Sequence, residues 1–294
     1  MRLRNPITAS LTGIALAAAT ATAVAGPAEA APTRTAVNTA WAPAASAPIH
    51  PGVQMYTNGA QCTANFVFSD AAANVYVGYA AHCAGTGAAT DTNGCDAGSL
   101  PLGTKVDFVE NGSLVSAGQT VGTGTLVYSS WEAMQRVGTT DADACAYNDF
   151  ALVKVDDAHK GKVNPSVPFW GGPVALNTDE SAAGESVFSF GNSSLRGGIE
   201  LLSPKRGVSL GAGGNGWTHP VYTMTPGVPG DSGSGFLDSK GHALGTLSTL
   251  AIAPLPASNG VGDLERELAF AQQHSGISGL QLVPGTEPFK KPLL

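Results

Sequence analysis

The sequence predicts an all-β fold, and three observations predict it. Glycine supplies 38 of the 294 residues and proline another 19, so many short strands joined by tight turns are expected rather than long helices. Short runs rich in β-branched and aromatic residues recur along the chain, parted by turn-forming Gly, Asn, Asp and Ser. Only one segment reads clearly as helix, and it comes late. Many strands followed by one helix fit a β-sandwich or a pair of barrels better than an α/β arrangement.

The N-terminus reads as an export signal. Arg2 and Arg4 form a basic start, Ile7 to Val24 is mostly apolar and small, and Ala-x-Ala sites follow at Ala23–Ala25 and Ala28–Ala30. Cleavage after Ala30 is expected, with Ala25 the second choice. The rival reading is a retained anchor, but the run is rich in Ala and Thr and breaks at Gly26-Pro27, too weakly apolar to hold a bilayer. Later apolar runs are all interrupted by Gly or polar residues. Residues 31–50, rich in Ala, Pro and Thr, are a leader or linker, too short for an independent chaperone domain.

From Pro51 the pattern turns to strands. Cys62–Phe68 and Val75–Tyr79 are separated by the turn-prone Ser69-Asp70 and Asn74. Further strands are expected at Val106–Val109, Gly124–Tyr128, Phe150–Val155, Ser186–Phe190, Val221–Met224, Ser234–Leu237 and Ala243–Leu250. The helix begins at Asp263, which can cap it. Glu265 and Glu267 suit its first turn, Leu264, Leu268 and Ala271 share a face, and Gly276 stops it.

Composition excludes several function classes. Charged residues are 13% of the chain; removing residues 1–30 takes Arg2, Arg4 and Glu29 from 15 basic and 22 acidic residues and leaves a net charge of −8. This balance argues against nucleic acid or an anionic membrane as the main partner, and the basic residues are scattered, adjacent only at Lys205-Arg206 and Lys290-Lys291. Four cysteines, Cys62, Cys83, Cys95 and Cys145, suggest two disulfides in an exported chain, with three connectivities open. No Cys-x-x-Cys or spaced His pair supports zinc. Asp91-Thr92-Asn93-Gly94-Cys95-Asp96 faintly resembles a calcium loop but lacks the remaining ligands; Asx turns around a disulfide explain it better, so neither metal nor cofactor is expected. His219, beside Trp217, reads as packing, as do Trp41, Trp131 and Trp170.

Three segments carry chemistry. In Tyr79-Ala80-Ala81-His82-Cys83, a histidine at the end of a strand is held rigidly once its neighbouring cysteine is bridged. In Asn148-Asp149-Phe150-Ala151-Leu152, a carboxylate enters an apolar strand, costly unless it accepts hydrogen bonds; orienting an imidazole is one reason to keep it, a plain turn aspartate the alternative. In Pro229-Gly230-Asp231-Ser232-Gly233-Ser234-Gly235, the glycines let consecutive N–H groups converge on one point, around a candidate nucleophile at Ser232.

In this order the segments resemble the chymotrypsin-like serine proteases, whose motifs are Ala-Ala-His-Cys, Asn-Asp-Ile-Ala-Leu and Gly-Asp-Ser-Gly-Gly. The order His, Asp, Ser is that family's, whereas α/β-hydrolases run Ser, Asp or Glu, His. The resemblance spans residues 52–276. It implies two packed six-stranded antiparallel β-barrels (about 51–160 and 161–262), a helix at 263–275 and a tail at 277–294. It implies a triad of His82, Asp149 and Ser232, an oxyanion hole from the N–H groups of Gly230 and Ser232, Gly191 packed beside that loop, and Ser248 beside the triad. It implies Cys62–Cys83, following the family's hairpin, and with it Cys95–Cys145. A polypeptide substrate, a monomer and an extracellular site of action follow from the same likeness.

Departures from the family pattern bear on specificity. Pro226 stands where trypsin-like members keep an aspartate at the pocket floor, no cysteine near Val228 or Thr249 supplies the usual pocket disulfide, and Leu250 replaces a wall glycine. With Pro226, Ser248, Thr249 and Leu250 as substrate-binding positions, small or medium apolar P1 residues are expected over Lys and Arg. Ser234 replaces the third motif glycine. No basic residue followed by Ile-Val-Gly-Gly exists, so Asp231 has no evident N-terminal partner; Lys205, Arg196 or Arg206 could serve. Two other functions are compatible with the pattern: a noncatalytic secreted binding protein, against which the complete triad argues, and a serine esterase using the same acyl chemistry.

Overall fold

The computed structural model describes residues 40–88, 92–197, 199–250 and 257–291; the expected signal peptide, residues 31–39 of the leader and Asp91 lie outside the described residues. The first half of the described chain holds β1 (Gln54–Thr57), β2 (Ala60–Thr63), β3 (Val67–Ser69), β4 (Val75–Tyr79), β5 (Lys105–Glu110), β6 (Gln119–Ser129) and β7 (Ala151–Val155). These pair antiparallel in the order β3-β4-β7-β6-β5-β1-β2. Only residues 64–66 separate β2 from β3, so the two form one bent strand. Its first part bonds β1, with Ala64 N–H on Val53 O at 2.9 Å, and its second part bonds β4, with Asn65 N–H on Gly78 O at 2.8 Å. The bend brings the sheet back on itself, as a six-stranded barrel requires.

The second half contains β8 (Ser186–Phe190), β9 (Pro204–Ser209), β10 (Thr218–Thr223), β11 (Gly235–Leu237), β12 (Ala243–Leu250) and β13 (Asn259–Asp263), closed as a barrel in the order β10-β13-β12-β11-β8-β9. Each half has its own core. Met55, Val77, Phe108, Leu126 and Val153 fill the first, and Val187, Val221, Phe236, Leu244 and Val261 the second. A third apolar cluster joins them: Phe66, Phe68 and Phe150 from one side pack with Phe188, Leu237 and Leu264 from the other.

Two helices were not expected. α1 (Ser130–Val137) buries Trp131, Ala133 and Met134 and ends at Gly138, whose φ of +69° favours glycine. α2 (Ala142–Tyr147) is capped by Asp141, which accepts from Asp143 N–H and Ala144 N–H. At eight and six residues, both are too short to display a periodic apolar stripe. The third, α3 (Leu264–His274), has the expected cap, with Asp263 accepting from Arg266 N–H. The C-terminal segment adds β14 (Gln281–Leu282) to β3 and then crosses the second half, where Phe289 meets Phe188 edge to face. Cys62 is joined to Cys83 and Cys95 to Cys145, so one bridge lies beside His82 and the other ties the long insertion to α2.

Candidate active site

Antiparallel pairing places the first two residues. Tyr79 at the end of β4 lies opposite Ala151 at the start of β7, so His82, three residues on, and Asp149, two residues back, share one end of the pair. His82 sits in a single 3-10 turn, Ala81–Ala84. Asp149 is buried. Its Oδ1 accepts the backbone N–H of His82 at 2.8 Å, and its Oδ2 accepts His82 Nδ1–H at 2.6 Å and Ser248 Oγ–H at 2.5 Å. Burial alone would raise the Asp149 carboxyl, but the charge of His82 and these hydrogen bonds outweigh it and hold it below the ordinary carboxylate range. Burial likewise disfavours the His82 cation, yet the Asp149 charge and hydrogen bond prevail, so the imidazole is raised above its usual value.

Ser232 follows β10 across the junction. Its carbonyl accepts Thr63 N–H at 2.8 Å, while Gly233 N–H reaches Leu247 O at 2.7 Å, so the loop is pinned to both halves. A side chain at Gly233, where φ is +87°, would meet Thr63 O at 2.6 Å and Ala80 N at 2.8 Å. Pro229 and Gly230 occupy the middle of a turn closed by Asp231 N–H on Val228 O at 2.9 Å, with Gly230 at φ +94°. Among the described residues no acceptor engages the N–H of Gly230 or Ser232. His82, Asp149, Gly230, Ser232 and Ser248 all line one cavity of about 540 Å³.

Beneath this loop lies Asp231, 0% exposed. Arg196 reaches it at 2.5 Å and Lys205, itself fully buried, at 3.0 Å; the third candidate, Arg206, points to solvent. Gly191 packs against the same carboxylate, and a Cβ there would meet Asp231 Oδ1 at 2.5 Å.

No family model and no curated protein matches the sequence. Among solved structures, Thermobifida fusca protease A is 16% identical over 81% of this chain and 99% of its own, with a TM-score of 0.50. Cellulomonas bogoriensis chymotrypsin is 15% identical over 80% and 98%, with a TM-score of 0.46. The chain has the chymotrypsin fold. Within that fold, the described residues contain one compact cluster of metal-ligating types, Cys62, His82 and Cys83, and its sulfurs are bonded to each other rather than free as thiolates. Asn93 makes the expected Asx turn, accepting from Cys95 N–H at 3.0 Å.

One expected site residue falls elsewhere. Pro226 does not line the cavity; its carbonyl accepts from Lys205 Nζ at 3.3 Å and Arg196 at 3.5 Å. Two buried cations on one carboxylate need further acceptors, and this stretch of backbone supplies them. Gly227, Val228, Thr249, Leu250 and Asn259 form the wall instead. Asn259 bridges its two sides, with Oδ1 accepting Gly227 N–H at 2.8 Å and Nδ2 donating to Thr249 O at 3.2 Å. Trp131 also lines the cavity, besides filling core. His219 lies outside it, bonded in the interior to Ser181 at 2.8 Å and Asp263 at 2.8 Å.

Glu267 stands in the first turn of α3, as expected, and is 0% exposed. It accepts Thr246 Oγ–H at 2.7 Å and Asp149 N–H at 3.4 Å. Burial, with Asp149 and Asp263 nearby, pushes this carboxyl well above the usual range. A raised folded-state value means stability is full below the ordinary Glu range, then lost as pH rises until the folded group ionises. The variant Glu267→Gln is therefore expected to match wild type near pH 4 and to gain on it above, by up to about 1.4 kcal/mol per pH unit. Parallel melting curves across that range would contradict this.

Proposed function

We propose that the chain is a secreted serine endopeptidase that forms an acyl-enzyme on Ser232. The observation that carries this reading is the double grip of Asp149 on His82, by Oδ1 and Oδ2, in the lining of the cavity that Ser232 shares. With Nδ1–H committed to Asp149, Nε2 is the free base. Ser232 Oγ attacks the scissile carbonyl carbon while His82 Nε2 takes its proton. The carbonyl oxygen, now anionic, accepts the N–H groups of Gly230 and Ser232. Collapse expels the amine, which takes the proton from His82, and water repeats the sequence to release the acid. Asp149 keeps its charge throughout and stabilises the imidazolium. Export is supported by the signal-like N-terminus and the two disulfides.

The lining of the cavity supports an apolar P1 preference. Val228, Leu247 and Leu250 are apolar, Asn259 is neutral, and the buried Asp231 already holds two cations, leaving none of its charge for a basic P1 group. On matched peptide substrates, Ala or Leu at P1 is expected to exceed Lys in kcat/KM by at least about tenfold. A clear preference for Lys would overturn this assignment.

A further inference from the structure

Ser193 follows β8 and is 1% exposed, yet all its polar atoms are engaged by the loop that carries Ser232 or by its own turn. Its N–H donates to Asp231 Oδ1 at 3.1 Å. Its hydroxyl accepts Leu195 N–H at 3.1 Å and donates to the carbonyl of Pro229 at 2.5 Å. Arg196, on the same 3-10 turn (Ser194–Arg196), grips the other oxygen of Asp231.

The carbonyl of Pro229 and the N–H of Gly230 belong to one planar trans unit and point in opposite directions. That unit is the middle peptide of the turn from Val228 to Asp231. The two common turn types differ by a flip of this peptide: one has φ near −90° at the third residue, and the other has φ near +80° there. Gly230, at +94°, is in the second. The closing bond from Asp231 N–H to Val228 O is compatible with both, so it cannot choose between them. Glycine removes the steric penalty of either form. The bond that differs is the one from Ser193 to the Pro229 carbonyl. The flipped form would turn that carbonyl into the cavity and withdraw the N–H.

We propose that Ser193 is a positioning residue that selects the turn type at Pro229-Gly230 and thereby presents the Gly230 N–H to the substrate oxyanion. The assignment rests on the reading of the site as a serine peptidase. Thr63 Oγ–H at 2.7 Å and Gln61 Nε2 at 3.0 Å hold the following carbonyl, of Gly230, so the flip is confined to one peptide.

The test compares Ser193→Ala with Ser193→Thr, which keeps the hydroxyl. Ser193→Ala is expected to fold, to lose at least about tenfold in kcat with KM within about twofold, and to lose a similar factor in affinity for a peptide aldehyde that places an oxyanion in the site. Ser193→Thr is expected to restore most of each loss. A crystal structure of Ser193→Ala is expected to show the Pro229 carbonyl turned into the cavity, a readout independent of activity. An unflipped peptide, or kcat unchanged in Ser193→Ala, overturns the proposal. A flip in a chain whose wild type cleaves nothing would support the turn assignment and refute the peptidase reading instead.

Discussion

Replacing Ser232 by Ala is expected to lower kcat/KM by roughly 10^4–10^6-fold while leaving the fold intact. The hydroxyl is the group that forms the covalent bond, and its removal leaves only the oxyanion donors and the cavity. His82→Ala should cost about as much, because an unassisted serine hydroxyl is a poor nucleophile at neutral pH. Asp149→Asn should lose about 10^4-fold, since an amide can hold His82 in the wrong tautomer and cannot stabilise the imidazolium. Residues that act as a unit are not additive, so Ser232→Ala combined with His82→Ala should be little worse than either alone. Initial rates on a peptide amide, with melting temperatures as a control, decide the matter. Retention of more than about a tenth of the rate by Ser232→Ala would require another nucleophile.

Asp231→Ala is expected to be the most damaging change for the fold. It would strand Lys205, fully buried, and most of Arg196 without their shared anion, at a cost of about 3–5 kcal/mol. It would also release Val228 N–H and Ser193 N–H, each 3.1 Å from the carboxylate, so the loop beneath Ser232 should loosen and activity should fall with stability. Burial alone would raise the Asp231 carboxyl, but Arg196 and Lys205 outweigh it and hold it below the ordinary range. A depressed folded-state value contributes stability above the unfolded pKa and loses it as pH falls through the folded one. The wild-type advantage over Asp231→Ala should therefore persist at neutral pH and shrink only below about pH 4. Denaturant titration at two pH values checks both statements, and a loss under about 1 kcal/mol at pH 7 would contradict them.

The two internal cations also account for a missing feature of the sequence. Without a basic residue followed by Ile-Val-Gly-Gly, Asp231 has no evident new N-terminus to pair with, and Arg196 and Lys205 already occupy both of its oxygens.

How much of this was legible beforehand follows from the range of each interaction. His82, Asp149 and Ser232 stood out because each is set in a local motif of strand end, cysteine or glycine, and chain order then linked them. The cap at Asp263 was equally local. The first-turn place of Glu267 was legible too, but not its burial, because that position suits the macrodipole whether the side chain faces solvent or interior. Burial is decided by β12 and by the backbone of Asp149, which are far away in the chain. Asn259 and Ser193 are tied to Gly227 and Pro229, 32 and 36 residues away, and no spacing in the sequence reveals those partners. Pro226 was misplaced for the same reason, since its carbonyl answers to Lys205 and Arg196. The tail beyond α3 shows no alternation over β14, whose two residues are fixed by β3.

The most direct test of the account is covalent labelling of the purified protein with a fluorophosphonate, followed by peptide mass mapping. The account predicts one adduct, on Ser232, that abolishes peptide cleavage and does not form in His82→Ala. Peptide cleavage that persists with Ser232 fully modified, or labelling of a different serine, would contradict it.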